Sequence, residues 1–388
     1  MKIRDLKVYP TTTSTPQQIA RTNWVFIHLE TDEGITGVGE CSHWPAASGL
    51  LLYRALELMR DALIGEDPSD IDRLWNKLYR RFTYLGARGP VTSAISAIDI
   101  ALWDIKGKAL GVPIYQLLGG KFRDRVLLYT HIRADDPKLA AEHALQLVGE
   151  GFTALKTDPF WKEMWPYHTA YQNGIISNEG AAFGESIIAA VREAVGPKVE
   201  ILIDAHGQYN VPTAIKLARM LAPYKLTWFE EPVPPESYKA LRQVREAVDV
   251  PICVGERLYT RFDFVPVLEE HLADYIMPDV VWTGGISELR KIASLAEAYY
   301  VPVSPHDANG PINILAGAHV CTTIPNFYRL EFSRAALEFY NAIVSPPLDV
   351  RDGHLHLSER PGLGVELNLD WIKKHPPVSP GDKGFWPS

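Results

Sequence analysis

The feature that most constrains this chain is an alternation running from about residue 126 to residue 332. Short apolar and β-branched runs (126–130, 154–157, 200–204, 227–230, 252–256, 275–279, 301–306 and 328–332) are separated by stretches of helical periodicity. These include 137–148, 186–195, 213–221, 237–247 and 287–299. Strand, helix and strand in succession impose parallel pairing through right-handed crossovers. Seven or eight such units in roughly 210 residues match the size of a (β/α)₈-type barrel. The competing solution, an open doubly wound sheet, usually announces itself with a glycine-rich phosphate loop in its first turn. Neither G-x-G-x-x-G nor G-x-x-x-x-G-K-[ST] occurs, and Gly37-Val38-Gly39 is only a fragment. The barrel is the expectation.

The flanks have a different texture. Residues 24–30 alternate like a strand, Thr31-Asp32-Glu33-Gly34 is turn chemistry, and 35–40 returns as a second strand. Helical patterns follow at 51–63, 70–82 and 91–110. The division expected is an α+β unit over 1–125, the barrel over 126–344, and a turn-rich segment over 345–388 that packs back on the first unit. The 388 residues are 46% hydrophobic and carry a formal net charge of −8. That balance supports a large core and disfavours nucleic acid or an anionic membrane as partner. No apolar run approaches the length of a membrane span. Cys41, Cys253 and Cys321 lie too far apart for a C-x-x-C pair, and Met1-Lys2-Ile3-Arg4-Asp5 is charged where a signal peptide is apolar. A cytoplasmic protein is expected.

Ligands of such barrels bind where the strands end. The runs end at or carry Lys156, Asp204, Glu230, Glu256, Asp279, His306 and Glu331, and His206 follows Asp204 by two. From Asp204 onward the steps are 26, 26, 23, 27 and 25 residues, about one strand–helix unit each, so these groups should form one ring. Any one of the acids alone reads as a helix N-cap. Three successive carboxylates, Asp204, Glu230 and Glu256, are a different matter, because like charges in one dry place require a cation. An all-oxygen set favours a hard divalent ion, with Mg²⁺ first. Asp279 is placed to accept the ring hydrogen bond of His306 and set its tautomer. Two-residue alternation points His206 to the same side as Asp204. Pro278, inside the sixth run, suits a strand only where no ladder hydrogen bond is needed.

The chain resembles the enolase superfamily, and within it the mandelate racemase-like acid-sugar dehydratases of galactonate type. The matching pieces are Thr31-Asp32-Glu33-Gly34, Gly37-Val38-Gly39-Glu40, Ala101-Leu102-Trp103-Asp104-Ile105-Lys106-Gly107-Lys108 and Pro113-Ile114-Tyr115-Gln116-Leu117-Leu118-Gly119-Gly120. Then come Asp204 with His206, Trp228-Phe229-Glu230-Glu231-Pro232, Gly255-Glu256, Pro278-Asp279, Gly284-Gly285-Ile286, His306, Glu331 and Pro361-Gly362-Leu363-Gly364. The resemblance implies a modified (β/α)₇β TIM-type barrel under an α+β capping domain. It implies one Mg²⁺ per active site on Asp204, Glu230 and Glu256, and abstraction of the proton α to a carboxylate; superfamily sites use a Lys or His base with Mg²⁺. It also suggests a homo-oligomer, with an octamer as the state suggested. In racemases of the family the second strand ends Lys-x-Lys, whereas here it reads Lys156-Thr157-Asp158, so the second lysine base is absent.

From the resemblance follow the roles. His306 with Asp279 is the base, His206 the acid that protonates the departing 3-hydroxyl, and Lys156 and a protonated Glu331 stabilise charge on the substrate carboxylate. The expected product is a 2-keto-3-deoxy sugar acid. The closest rival is a racemase or epimerase of a 2-hydroxy acid using both histidines. A catalytically dead binding protein and a histidine-ligated hydrolase fit the intact acidic set less well. Substrate contacts are expected from Asn23, His43, Trp44 and Asp158, with segments 12–21, 41–46 and 158–173 around them. The last carries Phe160, Trp161, Trp165, Tyr167 and Tyr171 and reads as a lid or a subunit contact. Galactonate, gluconate, arabinonate, fuconate and galactarate stay open as substrates.

Overall fold

The computed structural model describes residues 1–12, 23–42, 48–86, 88–134, 136–160 and 174–377. Its amino-terminal part is a three-stranded antiparallel sheet in the order β1 (Ile3–Thr12), β2 (Asn23–Thr31) and β3 (Thr36–Glu40). The β2–β3 hairpin turns at Thr31–Gly34, where Gly34 adopts φ 83° without a side chain to clash. β1 was not anticipated. A register shift between Ile3 and Asp5 breaks its alternation, and charged Lys2, Arg4, Asp5 and Lys7 mask what is left.

Helices Ser48–Leu63, Ile71–Arg81 and Pro90–Leu110 cover this sheet. Pro90 starts the last at a position with no N–H to lose, and left-handed Gly111 ends it. β3 lies directly on that helix. A Cβ on Gly37 would sit 2.1 Å from the Ala101 carbonyl oxygen, and one on Gly39 2.0 Å from that of Ala97. The Gly37-Val38-Gly39 fragment is therefore a packing device, not a phosphate loop.

The barrel staves are β4 (Val126–His131), β5 (Ala154–Thr157), β6 (Glu200–Asp204), β7 (Trp228–Glu230), β8 (Ile252–Val254) and β9 (Tyr275–Ile276), each parallel to the next. The seventh stave is a single bridging residue, Val303, parallel to both Ile276 and Phe327. β10 (Leu330–Phe332) then pairs with β4 and closes the ring. Seven helical connections join the eight staves, which is the (β/α)₇β form. Asp136, Ser177, Asn210 and Ser237 cap four of these helices by accepting from backbone N–H groups. The fifth, sixth and seventh runs end sooner than their apolar character suggests, because the chain turns out of the ladder toward the barrel mouth. Pro278 falls just beyond β9, where no ladder bond is required. Below the mouth the bore is filled by Tyr129, Ala154, Leu202, Trp228, Cys253 and Met277.

Beyond the barrel, β11 (Val344–Ser345) pairs with β14 (Glu366–Leu367), while β12 (Asp349–Arg351) and β13 (His354–His356) form a hairpin. β13 lies antiparallel to β4, so part of this segment packs on the barrel. Other parts reach the amino-terminal unit: Thr12 N–H donates to the His375 carbonyl, and the Leu363 N–H donates to Asp104. The two units are also tied by indole donors, Trp75 to the Gly284 carbonyl and Trp103 to Ser287 Oγ, both at 2.8 Å. Among the described residues no helix is long and apolar enough to cross a membrane.

Candidate active site

Parallel register delivers the first part of the site. Asp204 and Glu230 are directly paired at the ends of β6 and β7, and Lys156 stands on β5 opposite Leu202. Glu256 follows β8 by two residues and completes an acidic trio whose ligand oxygens all lie within 4.8 Å of one another. Among the described residues this is the group of acidic, His or Cys side chains gathered closely enough to share a metal ion. All three are buried.

Lys156 does not snorkel to solvent as a strand-end lysine commonly does. It is buried, with Nζ at 3.1 Å from Asp204, 2.9 Å from Glu230 and 2.6 Å from Glu331. Burial lowers its pKa, but Glu230, Glu331, Tyr129 and Asp204 together hold it well above the ordinary lysine value. The trio itself is short of positive charge. Burial and the neighbouring Asp204 push Glu230 well above the usual carboxylate range, while His206 and Lys156 overcome burial to hold Asp204 below it. A donor set of three convergent carboxylates with one ammonium fits a hard divalent cation, which supplies the missing charge.

Glu331 differs from the expectation of a protonated acid. Its Oε1 accepts from His131 Nε2 and Lys156 Nζ, each at 2.6 Å, and its Oε2 accepts from the Asp307 N–H at 3.1 Å. Burial favours the neutral form, but Lys156, His306 and His131 outweigh it and keep the carboxyl well below its usual range. Glu331 is thus an acceptor and a counter-charge.

Two imidazole–carboxylate pairs flank the trio. His306 Nδ1 lies 2.7 Å from Asp279 Oδ2, which leaves Nε2 facing Glu256 at 3.3 Å. Asp279 also caps the short helix Val280–Thr283, its Oδ1 accepting from the Val281 N–H at 2.8 Å. The Trp282 ring packs on His306 with centroids 4.9 Å apart, and its indole N–H donates to the Ser42 carbonyl. Burial lowers the His306 pKa, but Glu331, Glu256 and Asp279 raise it to about 9 in the absence of a cation. His206 arrives by a different route from strand alternation. β6 stops at Asp204, and His206 takes φ 48°, a turn that brings Nδ1 to 3.1 Å from Asp158 and 3.4 Å from Asp204. Against burial, Asp204 and Asp158 raise its pKa, and 39% of its side chain is exposed.

Asp158, expected as a substrate contact, is half-buried beside His206, with its carboxylate 3.1 Å from the imidazole Nδ1. The other expected contacts, His43 and Trp44, lie outside the described residues, as do the side chain of Asn23, most of segment 12–21 and residues 161–173. Sequence reasoning misses four residues at the site: His131, Trp282, Asn309 and Asn313. The last two donate amide hydrogen bonds to Asp279 Oδ2, each at 3.3 Å. Trp282, Asn309 and Asn313 fall off the 25-residue rhythm of strand ends. His131 falls on it, ending β4 25 residues before Lys156, and is missed because its run reads as stopping at residue 130.

Residues 3–119 match the model of the mandelate racemase / muconate lactonizing enzyme N-terminal domain, and residues 139–371 match the enolase C-terminal domain-like family. A D-xylonate dehydratase of Haloferax volcanii is 37% identical over 360 residues, covering 91% of this chain and 85% of that one. A D-galactonate dehydratase of Pectobacterium atrosepticum is 37% identical over 359 residues, covering 90% of each. Among solved structures, a mandelate racemase/muconate lactonizing enzyme-like protein from Rubrobacter xylanophilus superposes with a TM-score of 0.86 at 37% identity, covering 97% of this chain and 98% of that chain.

Proposed function

The chain belongs to the mandelate racemase / muconate lactonizing enzyme family of the enolase superfamily, a hydro-lyase by its kinship; from this premise we propose that it dehydrates an aldonate or aldarate to a 2-keto-3-deoxy acid. The observation that carries the reading is the pairing of His306 with Asp279 and of His206 with Asp158 on either side of one acidic trio. A base and an acid, each oriented by its own carboxylate, are what loss of water across C2 and C3 requires.

Asp204, Glu230 and Glu256 would hold a Mg²⁺ ion, which when bound polarises a substrate carboxylate and offsets the crowded negative charge. The residues do the rest. Asp279 keeps the Nδ1 proton of His306 in place, so that Nε2 presents its lone pair to the C2 proton. As that C–H bond breaks, the Lys156 ammonium stabilises charge growing on the substrate carboxylate. The electron pair moves into a C2–C3 double bond while His206 gives its proton to the 3-hydroxyl, which departs as water. The resulting enol takes up a proton at C3 and becomes the 2-keto acid. Glu331 acts through Lys156 and His131 by fixing their positions, not by donating.

The test is a panel of sugar acids, including xylonate, galactonate, gluconate, arabinonate, fuconate and galactarate, incubated with purified protein in Mg²⁺ or in chelator. A 2-keto product in Mg²⁺ alone supports the reading. Exchange of C2 deuterium with no loss of water for any member replaces it with an epimerase.

A further inference from the structure

The carboxylate behind the base is itself held by a second tier of groups. Asp279 Oδ2 accepts from His306 and from the side-chain amides of Asn309 and Asn313. The same Asn313 Nδ2 donates at 3.0 Å to Asp307 Oδ1, so one amide bridges two buried carboxyl groups. Turned over, the amide would set its oxygen against the Asp279 carboxylate and lose both donations. Burial, Asp279 and Glu40 push Asp307 well above the usual carboxylate range, which favours its neutral form and leaves Asn313 room between the two acids. Asn309, Asn313, Asp307 and Asp279 are all buried.

Asn313 stands in the first turn of helix Pro311–Thr323, and that turn is pinned from the other unit. Glu40, the last residue of β3, accepts from the backbone N–H groups of Gly310 at 2.6 Å, Ile312 at 3.2 Å and Asn313 at 3.1 Å. A carboxylate at a helix N-terminus satisfies donors that have no partner within the helix. Gly310 is needed for the approach, since a Cβ there would lie 2.7 Å from Glu40 Oε1.

Resting on the reading of His306 as the base, we propose that Asn313, seconded by Asn309, is a positioning residue that holds Asp279 against the imidazole, and that Glu40 extends this hold to the capping sheet. With Asp279 clamped on three sides, the His306 proton has one place to sit, on Nδ1. Without the amides Asp279 keeps the Val281 N–H on Oδ1 but Oδ2 is held by the imidazole alone, so the carboxylate can turn about its Oδ1 anchor and the imidazole loses its fixed tautomer and tilt.

The experiment reads the tautomer directly, without substrate. The full chain is labelled with ¹⁵N-histidine, and in Mg²⁺ the His306 signals among those of 12 histidines are assigned by their loss in His306→Asn. In Asn313→Leu the Nδ1–H signal should shift and broaden as the second tautomer becomes populated. On the sugar acid found by the panel, kcat should fall about 10- to 100-fold with little change in KM, the range for losing a group that orients a site residue. Asn309→Ser keeps the Glu40 contacts and should show the same change at smaller size, which covers the case of an Asn313 variant that does not fold. Glu40→Gln should follow the same direction. An unshifted Nδ1–H signal in folded Asn313→Leu or Asn309→Ser overturns the proposal, and an unshifted signal in Glu40→Gln removes the capping sheet from it. A wild-type chain that makes no 2-keto product from any sugar acid sinks the dehydratase reading instead, and leaves the tautomer result standing.

Discussion

His306 and His206 touch different carboxylates of the trio, and that difference separates the defects expected when each is replaced. His306→Asn removes the lone pair facing C2, so both dehydration and C2 deuterium exchange should fall by about 10²- to 10⁴-fold. Mg²⁺ affinity, measured by calorimetry, should stay unchanged because His306 is not among the three ligands. Residual exchange at the wild-type rate would take the base away from His306. His206→Asn keeps a residue type that tolerates the left-handed turn at φ 48°. It should lose dehydration to a similar extent while C2 exchange persists, since the proton it supplies is used only when the hydroxyl leaves. Equal loss of both would reassign it. At this scale the trio, Lys156 and both histidines were legible because each falls on or beside the end of a barrel run. The charge state of Glu331 was not, since it depends on the hydrogen bond from His131, which pairing of β10 with β4 places beside it. Asn309 and Asn313 were hidden because they lie beyond the end of the seventh run, and the pairing of Asp158 with His206 because it depends on the turn of His206 at φ 48°.

Secondary structure was legible where periodicity was unbroken and where side-chain chemistry marks an end. The hairpin of β2 and β3, the helix Pro90–Leu110 and the barrel helices with Asp, Ser or Asn caps follow from such signals. β1 escaped because of its bulge, and the shortness of the seventh stave escaped because 301–306 reads as one run although Pro302 and Pro305 bring no N–H to a ladder. The packing of β3 on helix Pro90–Leu110 gives a prediction at the same scale. Gly39→Ala places a methyl 2.0 Å from the Ala97 carbonyl oxygen, a backbone atom that cannot rotate aside. Overpacking against backbone typically destabilises by about 1–3 kcal/mol or more, so the thermal midpoint should drop by several degrees. Because Glu40 follows at once, kcat should fall as well. Gly34→Ala, at a turn with nothing within 4 Å, carries only the strain of φ 83° and serves as the comparison. A Gly39→Ala midpoint no lower than that of Gly34→Ala would show that the sheet and helix are not in close contact.

Across the molecule, remote parts of the chain meet at buried polar groups, and one of them makes stability depend on pH. His319, on helix Pro311–Thr323, accepts through Nδ1 from the Tyr115 N–H at 3.2 Å, and its Nε2 faces the Leu363 carbonyl at 3.4 Å. The ring thus joins the end of the amino-terminal unit, the last barrel helix and the carboxy-terminal segment. It must be neutral to do so, since a proton on Nδ1 would abolish the bond from Tyr115. Burial accordingly lowers its pKa from 6.5 to about 4, with the Leu363 carbonyl opposing. The sign follows from proton counts. Above pH 6.5 neither the folded nor the unfolded chain protonates this ring, and its contribution is flat. Between pH 6.5 and about 4 the unfolded chain takes up a proton that the folded chain refuses, so stability declines as pH falls, by roughly 3 kcal/mol over the window. Buried acids with raised pKa values, such as Asp99 at about 7, act in the opposite sense over the same range. The measurement is therefore a difference: urea unfolding of wild type and His319→Gln at pH 7 and pH 4. The variant should be less stable at pH 7, and the gap should narrow by roughly 3 kcal/mol toward pH 4, where the native histidine has lost its advantage. A gap independent of pH would mean that the ring is not held neutral at the junction, and that the three segments are joined by packing alone.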